Sequence, residues 1–230
     1  MKVAVINFSG NVGKTTVARH LLAPRMDNPA EISVESINAD GPDGEALRGR
    51  QFGQLHEMLS LADSAVVDIG SSNVEDFIGQ MAQFEGSHDE FDYFVVPVSP
   101  KDKPQRDTIS TINALSDVRV PPSKIKLLFN LVEIGQDPRQ VFPALFAYHE
   151  GRRNFTINPA AAIHENEIFE RLRGIGKTIE ELLADQTDYR AKIKETDDQE
   201  EKRLFARLIA TKRLASGITR EFGSVFKALF

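Results

Sequence analysis

Residues 7 to 16, NFSGNVGKTT, follow the apolar run KVAVIN and open an amphipathic stretch. This succession of strand, glycine-containing loop and helix constrains the chain more than any other feature. Glycines let backbone N–H groups converge, and the N-terminus of the following helix adds positive potential, so the loop is built for an anion such as phosphate. Gly10 and Gly13 supply the freedom, Lys14 a charge for terminal phosphates, and Thr15 a hydroxyl able to ligate magnesium. The strict phosphate-loop pattern wants glycine where Phe8 stands, so this loop departs from it.

The rest of the chain repeats the same rhythm. Short runs rich in β-branched residues predict strands at 3–7, 32–38, 65–70, 93–99, 125–132 and 154–158, the last being NFTIN. Helices are expected near 14–23, 44–61, 73–84, 104–116 and 137–149. Such alternation implies an α/β fold, a mainly parallel sheet with helices on both faces and ligands at the carboxyl ends of its strands. Beyond residue 160 the pattern turns helical with charged faces; in one such stretch Leu204, Leu208, Thr211 and Ala215 can share a side. With 230 residues the length suits one domain with a helical appendage.

No cysteine is present, which removes disulfides, thiolate metal sites and cysteine nucleophiles. His20, His56, His88, His149 and His164 lack paired metal-ligand spacing, so a structural zinc site is not expected. No apolar run approaches the ~20 residues of a spanning helix, and no secretory signal opens the chain. A cytoplasmic location is expected, with nucleoid or membrane association as further options.

The loop resembles the variant phosphate loop of ParA/MinD-type ATPases, lysine-glycine-glycine-x-glycine-lysine-threonine, which SGNVGKT matches except at Ser9 and Asn11. Within that class the NFSGNVGKTT opening looks most like the plasmid-stability StbB branch. The resemblance implies a P-loop ATPase domain over residues 1–180, with a helical extension over 181–230. It also implies ATP/ADP and Mg2+ as cofactors, bound by Ser9, Gly10, Asn11, Val12, Gly13, Lys14, Thr15 and Thr16. Two aspartates fall after the second and third strands, where such a site closes. Asp40, in INADGPDG, matches the family residue that positions the attacking water, while Asn38 replaces its companion aspartate. Asp68, in VVDIG, would hold magnesium with Thr15, beside the switch at Gly70. Asn130, at the end of KLLFN, matches an asparagine whose amide reads adenine, and Pro159 resembles a proline that packs on the purine.

In the family the lysine at the Ser9 position reaches the partner's nucleotide across an ATP-bound dimer. A hydroxyl is neutral and too short for this. Charges of the arginine-finger kind contribute on the order of 10³ to 10⁵ in rate, so the resemblance implies slow turnover or a cation from elsewhere. Lys101 and Lys103, after the fourth strand, are topologically near.

The net charge of −6 is uneven, with +5 on residues 201–230 and −11 on the first 200. Lys202, Arg203, Arg207, Lys212 and Arg213 offer a basic face for non-specific, salt-sensitive DNA contact. Ile218, Phe222, Val225, Phe226, Leu229 and Phe230 form an apolar helical stripe. It resembles the short membrane-targeting helix of MinD proteins, although such stripes more commonly dock on protein.

The leading expectation is a slowly hydrolysing ATP switch for plasmid partition or positioning, acting as a nucleotide-dependent homodimer with a DNA-binding adaptor protein. A regulator or scaffold with negligible hydrolysis is the alternative, and a small-molecule kinase or ligase on the same fold is a third.

Overall fold

The computed structural model describes residues 1–34 and 44–230, with residues 44–50 described by backbone alone. Six strands form one sheet: β1 Lys2–Val5, β2 Ala30–Val34, β3 Ala65–Ile69, β4 Tyr93–Val98, β5 Ile125–Val132 and β6 Ala162–His164. Their spatial order is β2-β3-β1-β4-β5-β6, and every pairing is parallel. β1 is therefore central, and the chain leaves it towards one edge and later passes to its other side at β4. That reversal puts a crevice at the carboxyl end of β1, the position where open parallel sheets bind ligands.

The period-two alternation of the strands explains how both faces are buried. Ala4, Val67, Phe94, Val96, Leu127 and Phe129 join one core cluster with helix residues such as Leu55, Phe77, Ile112 and Leu145. Val3, Val5, Val66, Val95 and Leu128 point the other way and are also buried. The cluster is covered by α2 (Gly44–Leu61), α3 (Val74–Gln83), α4 (Asp102–Asp117) and α6 (Pro143–Arg152), with the short α5 (Pro138–Val141) ahead of α6.

The first helix has an unusual course. α1 (Lys14–Thr16) passes into a π-helical segment, Val17–Leu22, and a 3₁₀ turn, Ala23–Arg25. Arg25 Nη1 donates to the carbonyls of His20 (2.9 Å) and Leu21 (3.0 Å), satisfying acceptors at the wide turn's end.

The sixth strand corrects the sequence expectation. NFTIN holds only an isolated parallel bridge, Thr156 to Lys126, and the strand forms at Ala162–His164. An Asn-Pro turn separates the two: Ala161 N–H donates to Asn158 O (2.9 Å) and Ala160 N–H to Asn158 Oδ1 (3.1 Å). Pro159 consequently precedes β6 rather than following the last strand.

Contacts divide the chain into two compact units, residues 1–164 with 225–230, and residues 165–224. The boundary expected at 180 falls inside α8 (Ile179–Ala184). In the second unit α7 (Ile168–Ile175), α8 and α9 (Tyr189–Glu195) precede α10, Gln199–Leu229, whose last residues belong to the first unit. α8 starts at a capping box of Thr178 and Glu181. Asp185 organises this unit: its carboxylate accepts from Thr187 N–H (3.0 Å), Lys177 Nζ (3.0 Å) and the Tyr189 hydroxyl, and its carbonyl accepts from Lys212 Nζ.

Leu208, Thr211 and Ala215 share a buried side of α10, whereas Leu204 is exposed. Of the apolar stripe at the chain's end, Ile218, Phe222, Val225 and Leu229 are buried, Phe226 is half-buried and Phe230 is exposed. Within the first unit the Phe230 ring lies 4.7 Å from that of Tyr93, and Asn158 Nδ2 donates to Ala228 O (2.9 Å). No helix among the described residues is long and apolar enough to cross a membrane.

Candidate functional site

The loop between β1 and α1 stands at the carboxyl end of the central strand. Its backbone enters the left-handed region at Asn11 (φ 56°) and again at Gly13 (φ 86°), and helical geometry begins at Lys14. Asparagine tolerates that region, but Gly13 is required on steric grounds as well, because a Cβ there would meet Asn130 Nδ2 at 2.2 Å. Gly10 is under no such constraint: an added Cβ would sit 3.5 Å from Ser71 Oγ, an ordinary contact. Val12 is buried, and Gly13 O accepts the N–H of Val17 (2.9 Å), joining loop to helix.

Lys14 is the charge at the centre. Its Nζ donates to Ser9 O (2.8 Å) and Asn7 O (3.1 Å), so the ammonium folds back across the loop. Burial lowers its pKa below the ordinary lysine value, and the nearby Asp68 carboxylate opposes that shift. Thr15 follows on the first helical turn, and its hydroxyl donates to Asp68 Oδ2 (2.6 Å) from the end of β3. The other carboxylate oxygen, Asp68 Oδ1, is buried and has no hydrogen-bond partner among the described residues.

That orphaned oxygen tests the site for a divalent cation. A buried carboxylate oxygen without a donor invites a cation, and Thr15 Oγ1 keeps its lone pairs free while its proton is held by Asp68. Both are hard oxygen donors suited to Mg2+, which takes few protein ligands and completes its shell with phosphate and water. Among the described residues there is no group of three or more acidic or histidine side chains able to hold a metal alone. Thr15 and Asp68 therefore fit a magnesium ion carried in with a nucleotide.

Sequence reasoning missed the supports beneath the loop. Asn7 is fully buried; its Nδ2 donates to Pro97 O (2.8 Å) on β4 and to Thr108 Oγ1 (2.7 Å) on α4, while its Oδ1 accepts Ser9 N–H (2.7 Å). Phe8 N–H donates to Thr111 Oγ1 (3.1 Å), one helical turn along. An asparagine ending a buried strand and two threonines at i, i+3 on an otherwise amphipathic helix were the available signals.

Several expected residues stand apart from this cluster or are engaged in it differently. Ser9 belongs to the loop but is buried, with its N–H and carbonyl already bonded. Thr16 is half-buried on the first turn. Asn130 touches the loop, donating from Nδ2 to Val12 O (2.8 Å). Lys101 and Lys103 are exposed, and Lys103 pairs with Asp107 at 2.9 Å. Asp40 and Asn38 lie outside the described residues. In the second unit Arg203, Arg207 and Arg213 are exposed, whereas Lys212 is engaged with Asp185.

Comparison with solved structures finds the same architecture at low sequence identity. Apo McdA from Cyanothece aligns over 91% of this chain and 98% of its own, with a TM-score of 0.55 and 13% identity. An ATP complex of a substituted Cyanothece McdA aligns over 94% and 96%, with a TM-score of 0.50 and 14% identity. The MinD cell division protein of Aquifex aeolicus aligns over 94% and 97%, with a TM-score of 0.49 and 14% identity. No protein-family model matches the sequence. Nor does any curated protein. Identity this low establishes fold alone: the chain shares the parallel α/β architecture of McdA and ends in a long C-terminal helix.

Proposed function

We propose that the chain is an ATP-binding molecular switch that serves plasmid partition, stability or intracellular positioning. The observation that carries this reading is the convergence of Lys14, Thr15 and Asp68 on a glycine-bearing loop at the carboxyl end of the central strand. Lys14 would move from its two carbonyl acceptors to the terminal phosphates, and the loop N–H groups would hold the remaining oxygens. Thr15 and Asp68 would hold Mg2+, which supplies charge neutralisation between the terminal phosphates when bound. Asp40 is proposed to orient the attacking water. The fold shared with McdA, one structure of which is an ATP complex, supports the nucleotide assignment.

The switch is proposed to work as a nucleotide-dependent homodimer with a DNA-binding adaptor protein, on the pattern of the StbB-like branch. Exposed Arg203, Arg207 and Arg213 support an additional non-specific DNA contact. Membrane contact through residues 218–230 would require the buried Ile218, Phe222, Val225 and Leu229 to leave their seats, so a packing role is favoured for these four.

A second reading, a nucleotide-binding regulator with negligible hydrolysis, is favoured by one observation. Ser9 is neutral and only 3% exposed, and offers no charge to a partner subunit. Single-turnover hydrolysis of ATP with Mg2+, alone and with DNA and candidate adaptors, separates the two. The switch reading expects slow basal ADP formation, accelerated by a partner and lost in Asp40→Ala, with ATP-dependent dimers in sedimentation. Tight ATP binding with no hydrolysis under any of these conditions would establish the regulator.

A further inference from the structure

Asn130 occupies a place that suits a base reader poorly and a loop support well. It lies near the carboxyl end of β5, on a side chain only 4% exposed. Both ends of its carboxamide are engaged by the chain: Nδ2 donates to Val12 O (2.8 Å), and Oδ1 accepts Leu131 N–H (3.0 Å). The backbone beside that bond is uncommon: Leu131 has φ 58°, in the left-handed region that non-glycine residues avoid. Strain retained beside a ligand loop is a sign that the geometry it produces is used.

The consequence falls on one peptide plane. In a trans peptide the carbonyl oxygen and the next N–H point in opposite directions. With Val12 O drawn down to Asn130, the N–H of Gly13 is turned away from β5, towards the open side of the loop. Gly13 has no Cβ to prevent this approach, because the amide nitrogen fills the 2.2 Å that a Cβ would need. A left-handed residue directly before the helical turn also forms the kind of N–H concavity that receives anions.

We propose that Asn130 is a positioning residue of the phosphate loop, orienting the Val12–Gly13 peptide so that its N–H faces a bound polyphosphate, and that it does so independently of the base. This rests on the phosphate-loop reading above. It assigns the asparagine to the phosphates rather than to adenine.

The test uses the full-length chain and three probes in titration calorimetry with Mg2+: ATP, GTP and inorganic tripolyphosphate. Asn130→Ala is expected to weaken all three by a similar factor, about 10- to 100-fold, the size of one or two lost charge-assisted hydrogen bonds. Asn130→Asp, which keeps the acceptor for Leu131 and loses the donor for Val12, should fall at least as far. Loss of ATP affinity with tripolyphosphate affinity unchanged would overturn the proposal in favour of adenine reading. Lower melting temperatures with unchanged affinities for all three would also overturn it, leaving a purely structural tie. If the unaltered chain bound none of the probes, the phosphate-loop reading itself would fall, a result distinct from either of these.

Discussion

Two charged groups organise the two units of this molecule, and they are treated in opposite ways. Asp185 in the second unit is surrounded by donors from its own chain: Thr187, Tyr189 and Lys177 all reach its carboxylate. Among the described residues, Lys14 in the first unit donates to neutral carbonyl oxygens, with the nearby Asp68 directed to Thr15. The first arrangement satisfies a charge and fixes the crossing of short helices. The second leaves an under-solvated cation near a carboxylate oxygen that has no partner among the described residues. On the proposed function, the centre left incomplete is the one that takes the ligand.

The comparison breaks most sharply at Lys14. Lys14→Met keeps the length of the side chain and removes its charge, and should reduce ATP affinity by about 100-fold or more. It should also raise stability at neutral pH, because the folded protein no longer desolvates an ammonium held by carbonyl oxygens and only partly compensated by Asp68. The pH dependence follows from the same cause. The folded pKa of Lys14 lies below the ordinary 10.5, so between those two values the unfolded chain binds more protons and stability rises with pH. Denaturant unfolding across alkaline pH should show that rise in the unaltered chain and a smaller one in the variant. A variant that binds ATP normally would remove Lys14 from the site.

Asp185→Asn makes the converse change and should leave ATP affinity untouched while lowering stability at neutral pH. Hydrogen bonds from Thr187 and Tyr189, and then the Lys177 ammonium, hold the Asp185 pKa well below its ordinary 3.8. A depressed carboxylate contributes fully above the unfolded value and loses its contribution as pH falls towards the folded one. The difference between variant and parent should therefore be constant near neutrality and shrink below about pH 4, the unfolded Asp range. Urea titrations at stepped pH read this directly. An equal loss of stability at all pH values would mean that the carboxylate's charge is immaterial to the hub.

Legibility in the sequence followed the same division. The loop, Lys14, Thr15 and Asp68 could be found because each chemistry requires a residue type at a fixed place after a strand, and strands one to five announce themselves by apolar runs. β6 could not be found. Ala162, Ile163 and His164 are too few to show a period, and NFTIN, with the stronger strand composition, is stopped by the turn at Asn158. Pro159 was misplaced for that reason, on the wrong side of the final strand. The undersupport of Asn7, Thr108 and Thr111 was hidden because it joins residues about a hundred positions apart, and no local pattern carries such a pairing. Asn130 was visible as a residue but not as a geometry, since its contact with Val12 depends on how β5 lies beside the loop.

The smallest expected effect concerns Leu131, where the two kinds of support meet. Its left-handed backbone costs roughly 1–2 kcal/mol for a residue with a Cβ, a penalty that glycine does not carry. Glycine in turn loses more backbone freedom on folding, about 0.5–1 kcal/mol. Leu131 is 39% exposed, so removing its side chain also forfeits the burial of the rest, on the order of 1 kcal/mol. Relief of strain, lost backbone restriction and lost burial nearly cancel, so Leu131→Gly should leave stability within about 1 kcal/mol of the parent, while its N–H still reaches Asn130 Oδ1. ATP and tripolyphosphate affinities should stay within twofold of the parent. If affinity instead rose or fell tenfold at unchanged stability, the strain at Leu131 would itself be setting the aim of the Asn130 amide, and the support would act through backbone geometry as well as through the hydrogen bond.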